Sequence, residues 1–303
     1  MKKIIITGGS GTVGTAFIQK YYKKFEFYNV SRNESQVAEL KHKFPKVKNY
    51  ICNICDLEYL INIFEKIKPD IVIHSAALKH VNLAEENPTS AIEINIRGSL
   101  NVIKASIRAQ VPMTVGVSTD KACDPDNVYG YSKRIMEKMF MEHHNKKTKF
   151  VCTRFANVAN SNGSVIPFWK NLSKQGKPLK LTSTKMNRLM FSKEASAKLI
   201  HDACEFAETL EKPFVLSNIM KTVNMLDLAK AMSDKIDIIG LRPGEKLNET
   251  LVSKRELPYT RVDKDLVFIF DDITLDPKDN LQEEHSSLTA EKMTTTELKK
   301  LIE

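Results

Sequence analysis

The fold is decided near the start of the chain, by the sequence KIIITGGSGTVG at residues 3–14. A run of β-branched residues predicts a strand over Lys3–Thr7, and a helical pattern follows over Gly14–Lys24. A glycine-rich loop between a strand and a helix lets backbone amides bind a diphosphate, whereas glycines outside that context indicate a simple turn. The loop therefore predicts a dinucleotide site formed by Gly8, Ser10, Gly11, Thr12, Val13 and Gly14.

The first half of the chain alternates short apolar runs with helical patterns, which is typical of βαβ units and a parallel sheet. The predicted strands are Lys3–Thr7, Glu26–Ser31, Val47–Ile51, Ile71–Ser75, Thr114–Ser118 and Phe150–Arg154. The predicted helices are Gly14–Lys24, Ser35–Lys43, Leu57–Ile67, Asn87–Gln110 and Tyr129–His144. We therefore expect an α/β protein with a Rossmann-type, doubly wound parallel sheet and a smaller C-terminal substrate domain.

The pattern changes after the sixth predicted strand, where Asn160–Pro167 is rich in loop-forming residues. We expect a cofactor-binding Rossmann domain over residues 1–165, and a substrate-binding domain with the C-terminal tail over residues 166–303. A later strand near residues 214–217 is predicted to return to the first domain. The polar segment 276–290 predicts an exposed connection to a last helix near Thr294–Ile302.

Composition excludes several classes of protein. The 303 residues are 42% hydrophobic and 27% charged, as in ordinary globular proteins, and no apolar run reaches bilayer length. The apolar run after Met1 is too short for a signal peptide, so we expect a cytoplasmic protein without membrane contact. The net charge of +9 attracts phosphates, but the basic residues are spread along the chain. We therefore expect no nucleic-acid partner.

Five cysteines form no regular framework, which predicts reduced thiols. Cys52 and Cys55 have the spacing of half a zinc site, but no second Cys or His pair matches it. We therefore expect no metal.

The end of the second predicted strand bears on the choice of cofactor. An enzyme that prefers NAD usually has an acidic residue here for the ribose 2′-hydroxyl, and this chain has Ser31, Arg32 and Asn33. The guanidinium of Arg32 can bind a 2′-phosphate, and Ser31 can donate a hydrogen bond. NADP is therefore favoured over NAD, unless Arg32 is an ordinary surface residue.

Candidate catalytic residues follow the fifth predicted strand, at the edge where parallel sheets bind ligands. The strand ends in Ser118-Thr119-Asp120-Lys121, and Tyr129 and Lys133 come soon afterwards on a predicted helix. Tyr129 and Lys133 are one helical turn apart, so the ammonium group can lower the pKa of the phenol. Tyr-x-x-x-Lys occurs often by chance, but in this context it indicates an acid–base pair for carbonyl–alcohol chemistry.

These motifs resemble the extended short-chain dehydrogenase/reductase family, and further motifs resemble its polysaccharide-biosynthesis branch. That branch includes the UDP-N-acetylglucosamine 4,6-dehydratases, some of which also invert C5. The resemblance runs from about residue 3 to residue 255. The further motifs are Ala76–Val81, Ser118–Ala122, Arg154–Val158, Gly163–Phe168 and Gly240–Lys246.

The resemblance implies a mechanism. Related hexose dehydratases have an Asp-Glu pair where this chain has Asp120-Lys121, which favours the C5-inverting type. Tyr129 would remove the C4 hydroxyl proton while hydride passes to NADP, and Lys133 would keep the phenol acidic. Lys121 would abstract the C5 proton and Asp120 would protonate the departing C6 hydroxyl. Hydride would return to C6, and C5 would be reprotonated from the opposite face. Thr119 would hydrogen-bond near the C4 oxygen.

The resemblance also assigns binding residues and a UDP-sugar substrate. Asn53 replaces an aspartate that the family usually has near the adenine, which leaves the adenine contacts open. A homo-oligomer, either a dimer or a larger assembly, is expected. The expected cofactor residues, besides the glycine loop, Ser31 and Arg32, are Asn53, Ile54, Ala76, Ala77, Lys79, Tyr129 and Lys133. The expected substrate residues are Lys79, Asn157, Val165, Arg188, Arg242 and Glu245.

Two other functions fit part of the sequence. A C4 epimerase would need the same Tyr129 and Lys133, but epimerisation needs no base at C5, so Asp120-Lys121 would have no purpose. A non-catalytic NADP-binding regulatory protein would have no use for the acid–base pair.

Overall fold

The computed structural model describes residues 1–271 and 276–302. Residues 272–275 and 303, which belong to the predicted second domain, lie outside the described residues. In the first half the elements are β1 (Lys3–Thr7), α1 (Thr12–Tyr21), β2 (Glu26–Ser31), α2 (Glu34–Lys43), β3 (Lys48–Ile51), α3 (Leu57–Ile67), β4 (Ile71–His74), α4 (Val81–Glu86), α5 (Pro88–Ala91), a π-helix (Ile92–Arg97), α6 (Gly98–Arg108), β5 (Met113–Thr119), a 3₁₀ turn (Asp120–Ala122), α7 (Val128–His143) and β6 (Lys149–Phe155).

The second half has shorter elements and ends in a helix. They are β7 (Asn157–Val158), α8 (Val165–Lys174), β8 (Leu179–Leu181), β9 (Asn187–Phe191), α9 (Lys193–Thr209), β10 (Val215–Asn218), β11 (Thr222–Asn224), α10 (Met225–Lys230), β12 (Ile236–Ile238), β13 (Thr250–Val252), a 3₁₀ turn (Leu257–Tyr259), β14 (Thr260–Asp263), β15 (Leu266–Ile269), β16 (His285–Ser286) and α11 (Thr295–Ile302).

One nine-stranded sheet organises the molecule, in the order β14-β15-β10-β6-β5-β4-β1-β2-β3. The strands from β10 to β3 are parallel, and β15 and β14 extend the β10 edge as antiparallel strands. The strand order reverses between β1 and β4, and doubly wound sheets bind ligands at this reversal. The predicted Rossmann-type parallel sheet is confirmed.

Apolar clusters cover both faces of this sheet. Phe17 and Ile18 of α1 pack on one face together with residues of α9, and Leu60 and Phe64 of α3 pack on the other. A separate cluster in the second half surrounds the buried Trp169. None of the helices in the described ranges combines the length and the apolar character needed to cross a bilayer.

Residues after 165 contribute more to the main sheet than the one strand expected near 214–217. Besides β10, the strands β14 and β15 join the sheet edge, and α9 packs against α1. Ser192 caps α9 by accepting a hydrogen bond from the amide of Ala195 at 3.1 Å. The division of the chain at residue 165 stays a prediction.

The predicted helix Asn87–Gln110 is confirmed as one helical run over residues 88–108, whose middle part is the π-helix, and the side chain of Asn95 in the π-helix bonds to the backbone of Leu78. Another local expectation was wrong in part. The segment 276–290 is exposed only in part. His285 and Ser286 form buried β16, where His285 Nε2 accepts a hydrogen bond from the amide of Met220. Polar side chains with such partners are buried at little cost.

A buried ion cluster ties the second half to the sheet. Arg154 on β6 is fully buried, and its guanidinium bonds to both carboxylate oxygens of Glu137 and of Glu256 at 2.9–3.0 Å. Its Nη1 also donates to the carbonyl of Leu251 on β13 at 2.9 Å. Although burial opposes ionisation, Arg154 lowers the pKa of Glu256 to about 2. The position of β13 therefore depends on Arg154.

We expect Arg154→Met to lower the free energy of unfolding by about 3–5 kcal/mol, because two buried carboxylates would lose their fully buried cation and keep only the partly exposed Arg134, at 3.1–3.2 Å. The measurement is urea unfolding followed by tryptophan fluorescence. Arg255→Met, which removes an exposed arginine nearby, is the control and should change the value by less than about 0.5 kcal/mol. Equal effects of the two substitutions would contradict the role of the cluster.

Candidate active site

The glycine loop has backbone geometry that side chains would obstruct. Gly8 has φ +74°, and a Cβ atom there would lie 2.8 Å from the amide nitrogen of Ala76. At Gly14, a Cβ would lie 2.5 Å from the Cα of Gly9. No side chain caps the start of α1 at Gly11, so the first amides of the helix have no side-chain acceptor there. These features suit the close approach of a diphosphate to the backbone.

Buried polar residues hold the loop after β4 in place, and none of them was among the predicted site residues. Asn95 donates to the carbonyl of Leu78 and accepts from its amide, and it also donates to Ser132 on α7. His74 bonds to Thr7 on β1 and to Ser99 on α6. Burial, assisted by the charge of Lys133, lowers the pKa of His74 to about 3, so its ring is neutral. Ala76, which lies against Gly8, follows this buried network in the chain.

The ends of β2 and β3 bring the expected adenosine-side residues together. Ser31 is buried and donates to Asn29 Oδ1, whereas Arg32 is exposed. The charge of Arg32 acts on the thiol of Cys55, which places it beside the loop that follows β3. In that loop, Asn53 Oδ1 accepts from the amide of Cys55, and the carbonyl of Ile54 accepts from Asn101 Nδ2. Ile54 also packs on Gly98 of α6.

Lys79 lies near the glycine loop through a short chain of contacts. Its Nζ donates to the carbonyl of Asn162 at 2.8 Å, and the amide of Asn162 donates to Thr12 Oγ1 at 2.9 Å. A cavity of about 440 Å³ lies on the outer side of this loop. It is lined by Ser10, Gly11 and Thr12 together with residues of α1, α2 and the start of α9, and none of the expected catalytic residues lines it.

The carboxyl end of β5 carries the central charges of the site. Asp120 is 1% exposed, and its Oδ1 accepts from Thr119 Oγ1, from the amide of Lys121 and from Lys121 Nζ, at 2.9, 2.9 and 3.0 Å. Its Oδ2 is buried and has no hydrogen-bond partner in the described part of the chain. One oxygen of Asp120 therefore holds Lys121.

Tyr129 packs against this segment at the start of α7. Gly130 makes the approach possible, because a Cβ there would lie 2.4 Å from the carbonyl oxygen of Lys121. Burial raises the pKa of Tyr129 to about 12, and Asp120 acts in the same direction. The ammonium of Lys121 and the side chain of Thr119 oppose the rise. Thr119, Asp120, Lys121 and Tyr129 are therefore brought together.

The expected effect of Lys133 on the Tyr129 phenol stays a prediction, and the structure gives Lys133 a backbone partner. Its Nζ donates to the carbonyl of Val117 at 2.7 Å, and burial lowers its pKa to about 8. Lys133 is not among the groups that shift the pKa of Tyr129, whereas Lys121 is. In this structure the cation that favours the phenolate is Lys121, because Lys133 is directed to the β5 backbone.

Glu249 completes the charged cluster and was missed by the sequence reasoning. It is 4% exposed, and its Oε1 lies 3.4 Å from Lys121 Nζ. Burial raises the pKa of Glu249, Lys121 and Arg188 lower it, and Asp120 raises it. The signal in the sequence was its position three residues after the motif Gly240–Lys246.

The expected substrate residues lie in three places. Arg188 is 8% exposed beside Lys121 and Glu249, and its guanidinium donates to the carbonyls of Asn187, Lys246 and Leu247.

Arg242 and Glu245 form a turn in which the amide of Arg242 donates to Glu245 Oε2, and Gly244 in that turn packs against Asn127. Asn157 donates to the carbonyl of Leu189, and Val165 begins α8. The structure gives no bond between Asn157, Val165 and the charged cluster.

A family model described as polysaccharide biosynthesis protein matches residues 4–270. A UDP-N-acetylglucosamine 4,6-dehydratase (inverting) from Campylobacter jejuni subsp. jejuni serotype O:2 is 36% identical over 291 residues, which cover 92% of this chain and 86% of that protein. A UDP-glucose 4-epimerase from Rickettsia bellii is 32% identical, over 99% of this chain and 95% of that protein.

The solved structures agree on the fold. The X-ray structure of Pen from Bacillus thuringiensis superposes with a TM-score of 0.92 at 28% identity, and the match covers 99% of this chain and 96% of that one.

Proposed function

Because this chain belongs to the polysaccharide biosynthesis protein family, we propose that it is a UDP-N-acetylglucosamine 4,6-dehydratase that inverts C5. The product would be a UDP-2-acetamido-2,6-dideoxy-4-hexulose for surface glycans. The observation that carries the proposal is the buried pair Asp120–Lys121, with its 3.0 Å ion pair, beside Tyr129. Support also comes from the relative with this activity at 36% identity.

A nicotinamide cofactor fits the glycine loop, where Gly8 and Gly14 leave room that a Cβ would fill. When bound, it supplies the hydride acceptor for C4 and the hydride donor for C6. We propose NADP, because the exposed Arg32 is available for a 2′-phosphate and no carboxylate follows β2 directly. Ser31, Asn53, Ile54, Ala76, Ala77, Lys79 and Lys133 stay predicted cofactor residues.

Tyr129 is proposed to accept the C4 hydroxyl proton. Its phenol is protonated in the free protein, because burial raises its pKa to about 12. The ammonium of Lys121 and the side chain of Thr119 favour the phenolate, so both would assist release of the phenol proton to solvent, after which the phenolate accepts the C4 hydroxyl proton. Lys133 would act on the cofactor side, next to the β5 carbonyl that it contacts.

Asp120 and Lys121 start with the wrong charges for the elimination, and one proton transfer corrects both. The Lys121 proton moves along the 3.0 Å bond to Asp120 Oδ1, which leaves a neutral amine and a carboxylic acid. The amine takes the C5 proton, and the acid protonates the C6 hydroxyl, which leaves as water. Lys121 is then again an ammonium and Asp120 a carboxylate, so the pair returns to its initial state.

A C4 epimerase is the second candidate, because a relative at 32% identity has that name. Epimerisation returns hydride to C4 and needs no base at C5, so it leaves the buried Asp120, Lys121 and Glu249 without a chemical purpose. The UDP-sugar substrate, a homo-oligomeric state and a cytoplasmic location stay predictions, as do the substrate contacts of Asn157, Val165, Arg188, Arg242 and Glu245.

Arg32→Ala should weaken NADP binding by at least about tenfold and change NAD binding little, because one charge-assisted phosphate contact is lost. Isothermal titration of both dinucleotides gives the two dissociation constants. Arg255→Ala, a substitution at an exposed arginine elsewhere, should change neither. Equal losses for NADP and NAD in Arg32→Ala would contradict the assignment of Arg32 to the 2′-phosphate.

Incubation with UDP-N-acetylglucosamine in deuterated water tests the reaction itself. We expect a 4-keto product that lacks the C6 hydroxyl and carries deuterium at C5, with C5 inverted, as read by NMR. A product that keeps its C6 hydroxyl and has no deuterium at C5 would eliminate the dehydratase and favour the epimerase.

Tyr129→Phe should lower kcat by about 10²–10⁴-fold, because the acid–base group is lost while the ring is kept. Tyr131→Phe is the control. Tyr131 lies two residues further along α7 and is 54% exposed, so this substitution should leave kcat unchanged. The measurement is the initial rate of product formation. No turnover by the wild type would favour a non-catalytic nucleotide-binding protein, and full activity of Tyr129→Phe would contradict the role of Tyr129 as the acid–base group.

A further inference from the structure

Glu249 is a buried carboxylate without a role in the proposed elimination. Its backbone is fixed on both sides by Ser287: the amide of Glu249 donates to Ser287 Oγ at 2.9 Å, and its carbonyl accepts from the Ser287 amide at 2.8 Å. Two residues further along, the carbonyl of Leu251 is held by Arg154. The carboxylate is therefore presented to Lys121 by a rigid segment.

Burying a carboxylate costs several kcal/mol unless cations offset the loss of hydration. The charged groups that face Glu249 are Lys121 and Asp120 at the end of β5, and Arg188 on β9. Arg188 already donates to three carbonyls. Lys121 is therefore the cation to which Glu249 is directed. The distance from Glu249 Oε1 to Lys121 Nζ is 3.4 Å.

We propose, on the basis of the proposed function, that Glu249 is a positioning residue. It holds the Lys121 amine against C5, and it stabilises the ammonium that forms when Lys121 takes the C5 proton. A buried acid that orients a base and stabilises its protonated form has this role in Ser-His-Asp triads. Here Asp120 is needed as the acid, so the second carboxylate provides the lasting negative charge.

The electrostatics are consistent with this role. Burial lowers the pKa of Lys121, and the carboxylates of Asp120 and Glu249 raise it to a value above that of an ordinary lysine, against the charge of Arg188. When Asp120 has received the proton from Lys121, Glu249 is the remaining carboxylate beside the amine. Glu249 therefore makes Lys121 the stronger base.

The test compares wild type, Glu249→Gln and Glu249→Asp, with Glu283→Gln as a control at an exposed carboxylate. Two rates are measured with UDP-N-acetylglucosamine across pH: deuterium incorporation at C5, and the first appearance of reduced nicotinamide, a step in which Lys121 acts only through its charge beside Tyr129 and not as a base. In Glu249→Gln we expect deuterium incorporation at C5 to slow by at least about tenfold. The pH at which this rate rises should also become lower, because Lys121 loses a negative charge that raises its pKa. The reduction rate should stay within about twofold of wild type.

Glu249→Asp keeps the charge, so its pH profile should keep the wild-type position although its rate is lower. Glu283→Gln should match wild type in both rates. A Glu249→Gln profile that superimposes on that of wild type, or an equal loss in both rates, would overturn the role of Glu249.

Absence of a dehydrated product with the wild type would be a failure of the proposed function instead. In that case the effect of Glu249 on Lys121 is tested separately. The measurement is the pH dependence of Lys121 acylation by acetic anhydride, followed by mass spectrometry. Faster acylation in Glu249→Gln than in wild type and Glu249→Asp would support the effect on Lys121, and equal acylation in the three proteins would refute it.

Discussion

One constraint governs the site: the charges at the carboxyl end of β5 are buried, and they are tolerated only because they are paired. Asp120 and Glu249 are at most 4% exposed, and Lys121 lies between them. Removal of one partner would leave an uncompensated charge in a poorly hydrated region, which costs far more than a surface ion pair contributes. The geometry of these side chains is therefore fixed before any substrate binds.

The rest of the fold supplies the partners for this cluster. The parallel sheet places Asp120 at the edge where the glycine loop also lies, and Gly130 lets α7 bring Tyr129 onto the same segment. The partner that comes from the second half of the chain, Glu249, needs a longer support. Arg154 provides it, because the guanidinium joins β6 to β13 through a fully buried contact with Leu251. The ion cluster around Arg154 thus positions Glu249 in the charged cluster of the proposed active site.

The sequence was sufficient where local pattern decides the structure. The bounds of β1, β2 and α3 agree with the runs of apolar and helical periodicity, and Asp120-Lys121 and Tyr129 could be identified from their place after a strand. The sequence was not sufficient to predict features that depend on contacts between residues far apart in the chain. Asn95 in the π-helix bonds to Leu78 in the loop after β4, and Glu249 becomes part of the site because β13 packs against the 3₁₀ turn Asp120–Ala122. Neither contact leaves a periodic signal.

The central claim is that one sugar ring meets the phenol, the amine and the acid at once. A crystal structure with UDP-N-acetylglucosamine and NADP bound tests it most directly. We expect the oxygen of Tyr129 to contact the C4 hydroxyl, Lys121 Nζ to face C5, and the carboxyl group of Asp120 to contact the C6 hydroxyl. A hexose bound outside the reach of Lys121 and Asp120, with these side chains still paired only to each other, would contradict it.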